Sequence, residues 1–134
     1  GSFPAGKVHP AALRLLSQLN YDVSGYRSKS WDEFATDDGP PLDFIFTVCD
    51  NAANETCPIW PGKPMSAHWG LPDPAAVQGS DAEIAFAFAD TYRMLTNRIE
   101  LLMALPLHAI EASSLQNRLR AIGQTDDAGT HGAG

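Results

Sequence analysis

The feature that most constrains the fold is a continuous run of aromatic and β-branched residues, Phe44-Ile45-Phe46-Thr47-Val48. Strands with one face in water alternate apolar and polar residues, and this run does not alternate. It therefore predicts a strand buried on both faces, as in a parallel sheet that is flanked by helices. A weaker second strand is predicted from Pro64 to Trp69.

Two helices are predicted before these strands. Leucines at helical spacing predict a first helix over 10–20, with Pro10 in its first turn. The Ser-x-x-Glu sequence that begins at Ser30 predicts a capping box and a short helix from about Trp31 to Ala35.

Two more helices are predicted after the strands. A second capping box at Ser80 begins a long helix that Pro106 ends, and a final helix stops at Gly123, which we expect in the C′ position. The long helix is predicted to pack through an apolar stripe of Ile84, Phe88, Tyr92, Leu95, Ile99 and Leu102.

The predicted elements leave the sheet incomplete. Two strands make a marginal sheet, and a strand buried on both faces needs a neighbour on each side. We therefore expect one incomplete α/β domain over residues 1–123, part of a three-layer fold with a central parallel sheet whose N-terminal strands are missing. The small and polar residues 124–134 are expected to form a flexible tail.

Composition excludes several functional classes. The net charge of −7 and the lack of any Lys or Arg run argue against nucleic acid or an anionic membrane surface as a partner. No apolar stretch approaches the roughly 20 residues that cross a bilayer. Two cysteines are too few for a disulfide scaffold, and no leader sequence is recognisable, so we expect a cytoplasmic protein.

Two cysteines follow the buried strand at the position where open α/β sheets place their sites. Cys49 comes directly after the strand, and Cys57 lies eight positions further on in the same predicted loop. Such a pair in a reducing compartment favours redox activity, while the alternative is two unrelated thiols. A metal site with His68 is disfavoured, because Cys-x7-Cys-x10-His matches no usual zinc spacing.

Asp73 lies between Pro72 and Pro74, and a loop stiffened by two prolines can hold a general acid over a neighbouring site. The commoner interpretation of an aspartate here is an ordinary turn residue. The remaining histidines have no partner at any motif spacing and are expected to be solvated: His9, His108 and His131.

Three segments together resemble the thioredoxin-coupled arsenate reductases, which have the low molecular weight protein tyrosine phosphatase fold. They are 46–53 (Phe-Thr-Val-Cys-Asp-Asn-Ala-Ala) with Cys57-Pro58, 67–75 (Ala-His-Trp-Gly-Leu-Pro-Asp-Pro-Ala) and 27–34 (Arg-Ser-Lys-Ser-Trp-Asp-Glu-Phe). The resemblance implies that Asp73 is the general acid and that Cys49 and Cys57 are the first and second relay cysteines. It implies no bound cofactor, and an external thiol reductant such as thioredoxin or glutaredoxin.

The sequence departs from that family in one respect. The family's nucleophile lies in an N-terminal Cys-x5-Arg loop, whereas here Glu55 follows Cys49 by six positions and Lys63 follows Cys57 by six. We therefore expect a part of an arsenate reductase that is inactive alone and that self-associates or pairs with a chain supplying the missing strands. The alternatives are a phosphatase of the same fold, which would have no use for the relay cysteines, and a non-catalytic regulatory or oligomerising remnant.

Overall fold

The computed structural model of the chain describes residues 4–36, 38–48, 60 and 62–125. Over these residues the chain forms three α-helices, two β-strands and two short 3₁₀ helices. In chain order they are α1 (Pro10–Gln18), a 3₁₀ helix (Trp31–Phe34), β1 (Phe44–Thr47), β2 (Met65–His68), a 3₁₀ helix (Pro74–Ala76), α2 (Asp81–Met103) and α3 (Ala112–Gly123). None of these helices is both long and apolar enough to cross a membrane.

The two strands pair in parallel, as the unbroken apolar run of β1 predicts. Their register places Phe44 opposite Met65 and Thr47 opposite His68. All four residues of β1 are only half-buried and Val48 is 43% exposed, so the prediction of a strand buried on both faces is wrong for the part of the chain described. The physical reason is that the described residues provide β1 with one neighbouring strand, β2.

The core lies between β2 and α3. It is a cluster of five buried residues, on which half-buried side chains from β1 and from the segment before α3 also pack. The five are Ala67, Trp69, Leu115, Leu119 and Ile122. Phe46 stacks on Trp69 with ring centroids 3.9 Å apart, which joins β1 to this cluster.

α3 covers the edge of β2 that faces away from β1. Met65 N donates to the carbonyl of Asp43, just before β1, and Trp69 N donates to that of Thr47. In a parallel ladder the backbone groups of Ser66 therefore point outward. Gln116 Nε2 donates to the Ser66 carbonyl at 2.7 Å, and Trp69 Nε1 donates to the Leu119 carbonyl at 3.0 Å. The helix thus satisfies a polar group that an open sheet edge would leave to water or to another chain.

Gly123 lies where α3 comes closest to β2. It is the last residue of the helix and its φ is not positive, so the prediction of a C′ glycine is wrong. A Cβ at this position would lie 2.5 Å from the His68 carbonyl oxygen and 2.8 Å from Trp69 Cδ1. Glycine is therefore required here by close packing rather than by a left-handed turn.

α1 and α2 pack against each other. Phe88 of α2 is buried, and its ring centroid lies 4.6 Å from that of His9. The Tyr21 and Tyr92 hydroxyls are 3.0 Å apart, and this hydrogen bond is the main cause of a raised pKa for Tyr21. Ile99, predicted in the same stripe as Phe88 and Tyr92, is 50% exposed.

The helix starts are explained by their caps. The capping box at Ser80 is confirmed, since the Ser80 hydroxyl accepts from the Glu83 N–H while the Glu83 carboxylate accepts from the Ser80 N–H. His9 also acts as a cap, because its Nδ1 accepts from the Ala11 N–H at 3.0 Å. This histidine, which the sequence predicts only to be solvated, is therefore the N-cap of α1.

The capping box predicted at Ser30 is wrong. Ser30 accepts a hydrogen bond from the Asp32 N–H, and the helix that follows is a 3₁₀ turn. Glu33 turns away from the cap and accepts two hydrogen bonds from the Arg27 guanidinium, at 2.6 and 2.9 Å. These bonds are the main cause of a lowered pKa for Glu33. The donor to this carboxylate is therefore a charged guanidinium and not the backbone N–H that a capping box would supply.

Candidate functional site

The carboxyl ends of β1 and β2 meet at one edge of the sheet. Thr47 Oγ1 lies 2.7 Å from His68 Nδ1, so a side-chain hydrogen bond joins the last residues of the two paired strands. The backbone pairing continues one step further, where Trp69 N donates to the Thr47 carbonyl and Leu71 N donates to the Val48 carbonyl. The two segments therefore run together as far as Val48 and Leu71.

The predicted site residues follow this point in the sequence. Cys49 directly follows Val48, and Asp73 is two residues beyond Leu71. Cys49 and Cys57 lie outside the described residues, so the predicted relay pair stays a prediction. The fold does bring the start of the cysteine loop and the start of the Asp73 loop to the same edge of the sheet, where α/β proteins place their ligands.

Asp73 has a defined local role. It is exposed and forms the N-cap of the Pro74–Ala76 3₁₀ helix, where its Oδ1 accepts from the Ala75 N–H at 2.9 Å. Pro74 occupies the first helical position, at which no N–H is required. The sequence predicts only a loop stiffened by two prolines here, and the Asp-Pro pair is the signal that would have identified the helix.

The Asp73 carboxylate lines a groove of about 550 Å³ between its own loop and α2, called here the Asp73 groove. Two further carboxylates lie along it, those of Glu83 and Asp90. Each is engaged, because Glu83 caps α2 and Asp90 forms an ion pair with Arg93 at 2.8 Å. The apolar lining includes Val77, Phe86 and Met94, of which Phe86 is 69% exposed.

A larger opening of about 970 Å³, called here the strand-end cleft, lies beside the carboxyl ends of the strands. Polar and aromatic groups from both strands, from α3 and from the chain before β2 line it: Thr47, Trp60, Ser66, His68, Arg120 and Gln124. Pro72 lines both openings, whereas Asp73 lines only the groove. The fold thus places His68 and Asp73 on two adjacent openings.

Sequence reasoning missed two members of this region. In the sequence analysis His68 is considered only as a poor metal ligand, and Arg120 is not considered at all. Among the described residues no group of three or more His, Cys, Asp or Glu side chains could hold a metal ion, and the hydroxyl of Thr47 is one hydrogen-bond partner of His68. The parallel register would have placed Thr47 beside His68, had the lengths of the two strands been known.

The sequence is similar to curated arsenate reductases. The protein from Halalkalibacterium halodurans is 32% identical over 76 residues, which make up 57% of this chain and 52% of the relative. The protein from Oceanobacillus iheyensis is 28% identical over 94 residues, or 70% of this chain and 65% of the relative. The Bacillus subtilis protein is 28% identical over 93 residues, or 69% and 64%.

These matches support the arsenate reductase family, and the small parallel sheet with its helices is compatible with a phosphatase-like α/β fold. The chain spans between 52% and 65% of the length of these three relatives. No family model matches the chain.

Proposed function

We propose that this chain is part of an arsenate reductase, to which it contributes the general acid and the thiol relay. The observation that carries the proposal is the sequence similarity to several curated arsenate reductases at 28 to 32% identity. The fold adds support, because the segments that lead to Cys49 and to Asp73 start side by side at the carboxyl edge of the sheet.

The proposed chemistry needs three thiols. A thiolate from a Cys-x5-Arg loop outside this sequence attacks arsenate, and Asp73 protonates the oxygen that leaves as water. Cys49 then attacks the sulfur of that arsenic adduct, so that the S–As bond breaks and arsenic leaves with two more electrons, as arsenite. A disulfide between the nucleophile and Cys49 remains, because these two thiols have supplied the two electrons that reduced arsenic.

Cys57 completes the relay. Its thiolate attacks the Cys49 sulfur, which releases the nucleophilic cysteine as a thiolate and leaves a disulfide between Cys49 and Cys57. An external dithiol protein such as thioredoxin or glutaredoxin would reduce that disulfide by thiol–disulfide exchange and become oxidised itself. Such a cycle belongs in a reducing compartment, and we propose the cytoplasm.

The chain alone is proposed to be inactive. Preorganised donors around the oxyanion and a thiolate of low pKa supply most of the catalysis in such a site, and both would come from the Cys-x5-Arg loop. The pure chain should therefore form no arsenite from arsenate in the presence of a thiol reductant. Arsenite production by the pure chain that Cys49→Ser abolishes would contradict this division of roles.

The relay is tested in a protein that contains the loop. A strand, a Cys-x5-Arg loop and a helix are fused before Gly1, and arsenite is measured over one and over many turnovers. Cys57→Ser should permit about one turnover and then stop, while cleavage of an aryl phosphate, which needs no relay, should continue. Loss of both activities in Cys57→Ser would show that Cys57 is structural.

A further inference from the structure

We propose that the strand-end cleft binds a small organic anion with a flat apolar body, and that Arg120 holds the anionic group. The inference goes beyond the proposed function and does not rest on it. It rests on the charged side chain of the cleft, on its aromatic and apolar walls and on the hydrogen-bonding groups that line it together with Arg120.

Among the described residues that line the cleft the charged side chain is a cation, Arg120, whereas the chain as a whole carries a net charge of −7. The sequence carries 16 Asp and Glu residues against nine Lys and Arg, yet no carboxylate belongs to any described residue that lines the cleft. Arg120 lines it, and no described carboxylate forms an ion pair with its guanidinium. A guanidinium without a protein carboxylate beside it retains its capacity for charge-assisted hydrogen bonds to a ligand.

The walls of the cleft suit a flat apolar body. Trp60 lines one side, and the ring of Trp31 meets it edge-on, with centroids 5.9 Å apart, which holds the Trp60 ring in place. Ile45, Leu71 and Pro72 supply apolar surface. Binding sites for small organic ligands combine such surface with a few polar groups that fix orientation.

The polar groups that line the cleft with Arg120 can fix that orientation. Gln124 follows Arg120 by four positions at the end of α3 and also lines the cleft. His68 lines it from the strand end, and its ring is oriented by the hydrogen bond of Nδ1 with Thr47. Hydrogen-bonding groups from the end of a helix and from a strand thus line one opening at the carboxyl edge of the sheet, where ligands bind in open α/β folds.

The probe is benzoate, compared with benzamide, which has the same shape without the charge, and with acetate, which has the charge without the ring. Binding is followed by backbone amide NMR shifts, because affinity for so small a ligand is expected to be weak. Benzoate should bind at least about tenfold more tightly than either control, the ratio expected from one charge-assisted hydrogen bond. The shifts should centre on His68, Arg120 and Gln124.

Arg120→Gln tests the guanidinium, and Arg118→Gln is the matched control. Both residues are exposed on α3 and both changes remove one positive charge, but Arg118 does not line the cleft. Arg120→Gln should weaken benzoate binding about tenfold or more, whereas Arg118→Gln should leave it nearly unchanged.

Equal binding of benzoate and benzamide to the unmodified chain would overturn the proposal, and so would equal losses in the two variants or shifts centred on the Asp73 groove. The arsenate and aryl phosphate assays use neither variant. Failure of the cleft proposal is therefore distinguishable from failure of the proposed relay.

Discussion

Gly123 shows how a single residue can set the distance between two elements. A new Cβ there would meet a backbone carbonyl, which cannot swing aside as the end of a flexible side chain could. We expect Gly123→Ala to destabilise the fold by about 1–3 kcal/mol, the usual cost of overpacking, despite the better helix propensity of alanine. Urea unfolding monitored by tryptophan fluorescence measures the difference.

Gly25→Ala is the matched control for this change. No atom lies within 4 Å of a Cβ built at Gly25, and its φ is not positive, so we expect an effect within about 0.5 kcal/mol. Equal stabilities of the two variants would mean that α3 can move away from β2 at no cost.

At Asp73 a single substitution can separate the proposed role as general acid from the observed role as helix cap. In the fused protein that carries a Cys-x5-Arg loop, Asp73→Asn should slow aryl phosphate cleavage by about 10² to 10⁴, the usual contribution of a positioned general acid. Asparagine retains a side-chain oxygen that can accept from the Ala75 N–H, so the local cap is preserved. An unchanged rate would leave Asp73 as a turn residue only.

α2 is the element whose start depends most clearly on its cap. Ser80→Ala removes the hydroxyl that accepts from the Glu83 N–H and should cost about 1 kcal/mol of the free energy of unfolding. Ser113→Ala, at an exposed site within α3, is the control and should cost much less. Comparable losses in both variants, measured by thermal unfolding with circular dichroism, would assign the effect to something other than the cap.

The next prediction concerns the two cysteines of the predicted loop after β1. Cys49 and Cys57 lie eight positions apart, and closing so short a loop costs little entropy compared with joining distant cysteines. Mild oxidation with diamide should therefore give an intramolecular disulfide, detected as the loss of two hydrogens in the intact mass and located by peptide mapping. Recovery of intermolecular dimers alone would place the sulfurs too far apart for a relay.

The whole chain is expected to self-associate. Asp43 and Thr47 accept from Met65 and Trp69, so the backbone groups of Phe44 and Phe46 point to the other edge of β1, where no described strand pairs with them. Such an edge recruits strands from other chains. Light scattering should show species larger than a monomer, and hydrogen exchange across Phe44–Thr47 should slow as concentration rises. A monomer with slow exchange across β1 would show that the chain completes its own sheet.

The sequence by itself determined the helices, the strands and their order. Helical spacing of leucines, the Ser80 capping box and the unbroken β1 run predicted three helices and a parallel strand pair at nearly the bounds observed. The helix bounds depend on interactions between residues close in the chain, and the strand run depends on the composition of one short segment; local pattern records both. The residues that resemble the arsenate reductases are likewise local segments, and similarity to curated relatives supports that family.

Only the tertiary structure decided which residues meet. Helical periodicity placed α3 but could not show that it covers the edge of β2, that Gly123 is needed for that approach, or that Glu33 prefers Arg27 to its own helix cap. Nor could it bring His68 and Arg120, which are 52 positions apart, to one cleft while directing Asp73 to another. These contacts depend on packing between segments that are distant in the chain. Their free energies cannot be inferred from the spacing of neighbouring residues.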